Sequence, residues 1–295
     1  MMTNPTTTGD PNRAAGGDAE GEYFDIHIHA NAWSDTGFNL EKVAEWMKQK
    51  SVRRCIVQYG VEPPRTEAEA RRCVENFRKY RGKIDWFSRI DPENVTSRRQ
   101  AVDILTRMKR DGAIGFGEHY GRGLAFDDPN CVRLYEACAE VGLPVLFHMD
   151  GGNNKDEPGL GRLERVVKSH PKCVFIGHGP GWWANIKTPC KPRDDGANRP
   201  AGADADTGTL DRLLAAYPNL YGDLSAGSGA RAVGNDKEFG RAFLIRNADK
   251  LMFGTDIGPW SGDAPQFTLL PSLNLPPDVK AKIYRQNAER LFGRS

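Results

Sequence analysis

The chain has 295 residues, of which 39% are hydrophobic and 27% charged, and its 41 basic and 39 acidic side chains give a net charge of +2. That balance is globular, and the length buries a core without disulfide or metal staples and suits one α/β barrel. The near-neutral, unsegregated charge argues against nucleic acid or an anionic membrane as partner, and no apolar run approaches the roughly 20 residues of a membrane span.

Met1–Glu22 is rich in Thr, Gly, Ala and Asp and is expected to be a disordered tail, leaving residues 23–295 as a single catalytic domain. The tail lacks the apolar stretch of a secretory signal, so a cytoplasmic location is the default expectation. From Tyr23 onward, short apolar runs alternate with amphipathic stretches. Tyr23–His29 reads as a strand, followed by a helix over Leu40–Lys50 with Asn39 as N-cap. Arg54–Tyr59 precedes a helix over Thr66–Tyr80, whose T-E-A-E-A start is a cap followed by first-turn carboxylates. Ile84–Ile90 precedes Ser97–Arg110, where Val102, Leu105 and Met108 fall at helical spacing. Ala113–Glu118 precedes Asn130–Val141, which stops at Gly142 before Pro144. Pro144–Asp150 leads to Gly161–Ser169, and Cys173–His178 to Thr209–Ala216. Leu220–Leu224 leads to Lys237–Asn247, and Lys250–Asp256 to Pro277–Phe292.

Compact apolar runs such as C-V-F-I-G-H suit parallel strands covered on both faces. Eight strand–helix units in one domain of this length predict a (β/α)8 TIM barrel. A doubly wound open sheet is the alternative, but G-x-G-x-x-G does not follow the first strand. Two connections are long, Gly179 to about Gly208 and Gly258 to about Pro276. Both follow strands, so both belong at the C-terminal mouth, where barrel active sites lie. None of the six cysteines (Cys55, Cys73, Cys131, Cys138, Cys173, Cys190) forms a C-x-x-C pair, and reduced, packed thiols are expected.

Polar residues concentrate at the strand ends. In F-D-I-H-I-H, His27 and His29 are two apart and point the same way, so both imidazoles can reach one cation. Ile26 and Ile28 would then face the helices, and Asp25, with the parity of His27, would orient it from one layer deeper. His148 ends the fifth strand, His178 the sixth, Asp256 the eighth and Glu118 the fourth. In a closed barrel all of these ends surround one cavity. His119 has the opposite parity to Glu118, and Glu118 is the inward candidate. His170 ends a helix before Pro171 and reads as structural. Trp182, Trp183, Lys187, Lys191, Arg193 and Arg199 lie in the long loop after His178. They could wall a substrate, but packed tryptophans and solvated charge are the plainer reading, and no role is assigned to them.

D-x-H-x-H at Asp25–His29, the strand-end His148 and His178, G-T-D at Gly254–Asp256 and the terminal N-A-E-R-L-F at Asn287–Phe292 together resemble the amidohydrolase superfamily. The likeness is closest to its amidohydrolase-related (amidohydrolase 2) branch of decarboxylases and lactone hydrolases, and it runs from Tyr23 to Gly293. The resemblance implies that His27, His29, His148 and Asp256 hold a divalent metal. Zn2+ is expected first and Mn2+ second, with one ion and room for two. It also implies that His178 lies beside the metal, as a second ligand or as an acid/base. Many members carry a bridging lysine on the fourth strand. Ala113–Tyr120 has none, which leaves Glu118 as the bridging candidate, as in deoxyribonucleases of the TatD type.

The expected function is hydrolysis of a small-molecule amide, ester or lactone by a metal-activated water, with Asp256 as base and His178 stabilising the oxyanion. Nonoxidative decarboxylation of an aromatic or enolic acid is the alternative, and a TatD-like deoxyribonuclease the third reading. The expected partner is a small molecule, with a homo-oligomer open.

Overall fold

The computed structural model describes residues 22–59, 66–187, 190–192, 198–200, 208–260 and 264–293. Eight strands run in chain order: β1 (Tyr23–Ala30), β2 (Val52–Tyr59), β3 (Ile84–Ser88), β4 (Gly115–His119), β5 (Val145–His148), β6 (Phe175–His178), β7 (Leu220–Asp223) and β8 (Leu251–Met252). Each pairs in parallel with the next. The segment after β8 then returns to β1. Ile26 N donates to Phe253 O at 3.1 Å, Asp256 N to His27 O at 2.8 Å and His29 N to Ile257 O at 2.8 Å. The sheet therefore curls shut into a (β/α)8 barrel. A doubly wound sheet would reverse its strand order part-way, and this one does not.

Local chemistry explains where the covering helices begin. Asn39, Thr66, Ser97, Asp128 and Asp236 each accept a first-turn backbone N–H through the side chain, and Thr66 completes a capping box with Glu69. Gly142, at φ 74°, ends the helix Pro129–Val141 in the left-handed conformation that a glycine adopts without strain. The buried stripes of these helices, such as Val43, Trp46 and Met47 or Leu134, Tyr135 and Cys138, join one apolar layer around the barrel. A second cluster of Phe24, Ile26, Ile56, Phe87, Leu146, Ile176 and Met252 fills the interior. Each of these fully buried side chains contributes about 1.5–3 kcal/mol. Phe292 closes this cluster, with its ring against Phe24 and Phe87. The opposite end, at the C-terminal tips of the strands, is left to polar groups.

The structure departs from the sequence reading in several places. The last strand pairs with β7 only over Leu251–Met252, and the residues after it, through Ile257, bond to β1 instead. The final helix is a run of Pro277–Ala281, a π turn over Lys282–Gln286, and Asn287–Phe292. The two long connections carry structure of their own. One holds the helix Pro180–Trp183 and the paired strands Cys190–Pro192 and Asn198–Pro200, and the other holds the helix Gln266–Ser272. A further helix, Ala226–Gly234, follows β7. The proposed tail lies outside the described residues except for Glu22, and so does Arg193. Among the described residues no helix is long and apolar enough to cross a membrane.

Strand parity also fails at one informative point. The β1–β2 register shifts between Asp25 and Ile28, a bulge. Ile26 consequently joins the interior cluster, while Ile28 joins the layer under the helices. The expectation that both isoleucines face outward is thus half wrong. Gln58, itself buried, donates to Ile26 O at 3.0 Å at the bulge.

Candidate metal centre

At the C-terminal mouth, side chains from β1, β4, β5, β6 and the β8 turn converge. His27 Nε2 and His29 Nε2 lie 3.0 Å apart. His29 Nε2 is 3.2 Å from Glu118 Oε2 and 3.1 Å from Asp256 Oδ1, and His27 Nε2 is 3.5 Å from each. His178 Nε2 stands 3.5 Å from Glu118 Oε1 and 3.8 Å from Asp256 Oδ2. His148 enters from the far side, with Nδ1 2.7 Å from Glu118 Oε1 and Nε2 3.0 Å from Asp150 Oδ2. Single ligand atoms from three overlapping triplets lie within 4.8 Å of one another: His27, His29 and Glu118; His27, His178 and Asp256; and Glu118, His148 and His178.

All six candidates from the sequence therefore meet, but not in the expected partition. Glu118 sits at the centre, within 3.5 Å of His27, His29, His148 and His178, rather than standing by as an optional bridge. His148 reaches the cluster through Glu118, and His178 faces Asp256 and Glu118 as closely as a ligand would. His119 points away, against Phe116 and Tyr135, as its parity predicted. His170 bonds its own helix at Val166 O. Trp182 and Trp183 are buried in the core, and Trp183 Nε1 donates to Asp223 O. Lys187 is 2.9 Å from Asp236.

Asp25 orients backbone rather than a ring. It accepts from His27 N, Thr255 N and Thr255 Oγ1, tying β1 to the segment that carries Asp256. The ring partner is Asp223, which sequence reasoning missed. Its fully buried Oδ2 lies 2.7 Å from His27 Nδ1 and 3.1 Å from His178 Nδ1, and Ser225 Oγ donates to the same oxygen at 2.6 Å. One carboxylate thus sets the orientation of two imidazoles. The available signal was Y-G-D, an acid at the tip of the seventh strand, in the same kind of position as Glu118 and Asp256.

The charges are interleaved. Burial alone would raise the Glu118 carboxyl, but His27 and hydrogen bonds with His148, His27 and His29 hold it well below the carboxylate range. Asp256 and Asp223 are also held low against burial, by their histidine neighbours. Burial would lower the histidines, yet the carboxylates raise His27 and His29 and push His148 up to about 9. Asp25 differs. Burial carries it to about 7, and the bonds from Thr255 and His27 only partly offset that.

This donor set fits a divalent cation. With Asp223 accepting the His27 Nδ1 proton, the neutral ring carries its lone pair on Nε2, facing His29 Nε2 and two carboxylate oxygens. Positive charge must sit among those atoms, either as protons on the rings or as a metal ion that replaces them. Mixed imidazole and carboxylate ligands suit Zn2+ and Mn2+.

A family model described as amidohydrolase matches residues 24–294. The chain belongs to the amidohydrolase family. No curated protein matches it by sequence. Solved structures of similar fold include a probable 2-pyrone-4,6-dicarboxylic acid hydrolase from Acinetobacter baumannii, with citric acid bound (12% identity, TM-score 0.58, covering 92% of this chain and 99% of that one). Another is 5-carboxyvanillate decarboxylase from Novosphingobium aromaticivorans, complexed with manganese and 4-hydroxy-3-methoxy-5-nitrobenzoic acid (14%, 0.58, 97% and 99%). A third is 2,6-dihydroxybenzoate decarboxylase from Rhizobium (15%, 0.54, 92% and 98%). At these identities the likeness is one of fold, and it agrees with the barrel of this amidohydrolase-family chain.

Proposed function

We propose that this chain is a divalent-metal-dependent hydrolase of a small-molecule amide, ester or lactone. The observation that carries the proposal is the convergence of His27, His29, Glu118, His178 and Asp256 at the barrel mouth, with Asp256 at its rim. The Asp256 side chain is 21% exposed, whereas those of His27, Glu118 and His178 are 0%, 2% and 1% exposed. Of the two cluster carboxylates, Glu118 and Asp256, it is Asp256 that touches both the donor cluster and the opening, where the His148 side chain is 18% exposed as well. His27, His29, Glu118, Asp256, His148 and His178 are the proposed ligands, with Glu118 shared if two ions bind. Zn2+ is the proposed ion and Mn2+ the alternative, since a manganese complex is known for the 5-carboxyvanillate decarboxylase. Such a cation polarises a carbonyl oxygen and lowers the pKa of water toward about 7.

The protein's own groups divide the remaining work. Asp256 takes a proton from the attacking water and returns it to the leaving group. His178, with Nδ1 2.9 Å from Ser225 Oγ, has only Nε2 to offer, so it is either a ligand of a second ion or, where one ion binds, the group that faces the oxygen on which charge develops. Asp223 holds His27 and His178 in the ring orientations these tasks need.

Nonoxidative decarboxylation is the second reading, supported by the fold shared with decarboxylases of hydroxybenzoic acids. In that reading the carbon–carbon bond breaks, its electron pair stays on the substrate carbon, and Asp256 or His178 delivers the proton there as CO2 leaves. Turnover in 18O-labelled water separates the two. Label in a new carboxylate supports the hydrolase, and CO2 release with no label in the remaining organic product replaces it with the lyase. Metal-loaded protein that turns over neither lactones, esters and amides nor aromatic acids contradicts both.

A further inference from the structure

The turn after β8 carries an unusual side chain. Asp256 has φ 61°, and Ile257 is buried and bridged to Ile28, so the base of the turn is fixed to β1. Trp260 then stands at the opening, 58% exposed, the one large hydrophobic side chain among the described residues left so open. An indole is among the most valuable groups to bury, so this exposure needs a reason.

The ring is held in place. Its centroid lies 5.2 Å from that of His29, with the planes at 50°. Gly258 leaves the space for it, since a Cβ there would come 2.8 Å from the indole. One part of the ring thus rests on a donor-cluster imidazole and on its own turn, and the rest is exposed. Tyr120 is a second aromatic ring at the cluster. Its hydroxyl donates to Glu118 and its ring stacks on His148 at 5.0 Å. His29 and Glu118 are themselves in contact, so both aromatic side chains reach the donor cluster through adjacent ligands.

We propose that Trp260 is the specificity-determining residue for the substrate's ring. Its exposed indole stacks on a flat, unsaturated ring whose polar substituent reaches the donor cluster, and a puckered saturated ring of equal size cannot match that face. The placement of the chemistry rests on the proposed function, but the stacking itself requires no metal. Aromatic pairing of this kind corresponds to roughly three- to tenfold in affinity beyond area.

The test is a ligand-observed NMR titration of the full chain, metal-free and zinc-loaded, with benzamide and with cyclohexanecarboxamide. Benzamide is expected to bind roughly three- to tenfold more tightly. Trp260→Ala should bring the ratio to about one and Trp260→Phe should keep part of it, with unchanged zinc content and circular dichroism. Equal binding of the two amides to the parent chain, or a preference that survives Trp260→Ala, overturns the proposal. A Trp260-dependent preference in a chain that hydrolyses nothing leaves the stacking role standing and removes the hydrolase reading.

Discussion

Asp223→Asn keeps the shape of a side chain and removes the charge that two histidines share. Asp223 Oδ2 lies 2.7 Å from His27 Nδ1 and 3.1 Å from His178 Nδ1 in a site closed to water. An amide offers one neutral acceptor, and its NH2 end would face a ring nitrogen as a donor. That donor favours the wrong His27 tautomer, with the proton on Nε2, where the cation is proposed to sit. Losing one such partner costs 10- to 100-fold in metal affinity. Because two rings depend on this carboxylate, we expect about 100-fold weaker zinc binding, close to 2.8 kcal/mol. Competition against a chromophoric chelator measures it, with circular dichroism confirming that the metal-free variant is folded. Affinity within threefold of the parent would refute the claim that Asp223 sets the donor orientation.

Asp256→Asn should retain the fold and lower turnover about 10²- to 10⁴-fold once its metal is restored; turnover near the parental rate removes Asp256 as the base. Metal uptake should release protons, because His27, His29 and His148 are raised and must shed protons to become ligands. Affinity should therefore weaken as pH falls and strengthen up to about pH 9, the value for His148; pH-independent uptake in a weakly buffered titration contradicts this. His119 supplies a stability prediction. Burial, aided by Arg89, lowers it to about 3, and neither ring nitrogen has a hydrogen-bond partner among the described residues. Its folded pKa lies below the unfolded one, so its contribution is present above about pH 6.5 and is lost as pH falls toward 3. His119→Leu should match the parent at pH 8 and exceed it in Tm at pH 5; a parallel pH response of the two proteins contradicts the assignment.

The barrel and most of its mouth were legible in the sequence for a simple reason. Compact apolar runs recur eight times, and each polar tip (His27, Glu118, His148, His178, Asp256) interrupts such a run, so pattern alone marks it. Parity served at Glu118 and His119, where neighbouring residues of opposite direction made a clear choice. It failed at Ile26, because a bulge is a property of the register with β2 and is invisible in β1 alone. Asp223 was overlooked because an acid at a strand tip gains meaning only when closure brings β7 opposite the β1 imidazoles. Glu118 looked optional for a related reason, since its place at the centre of the cluster depends on the approach of His148 and His178. Trp260 carried no periodic signal in a loop of Gly and Pro.

The central claim is that imidazoles and carboxylates from separate strands share a divalent cation. Elemental analysis of the chain purified without added metal, beside the His27→Ala/His29→Ala double variant, tests it most directly. We predict at least one equivalent of zinc or manganese in the parent and none in the folded double variant. A parent chain that takes up no divalent ion even when one is supplied, or a double variant that keeps the full complement, would contradict the account.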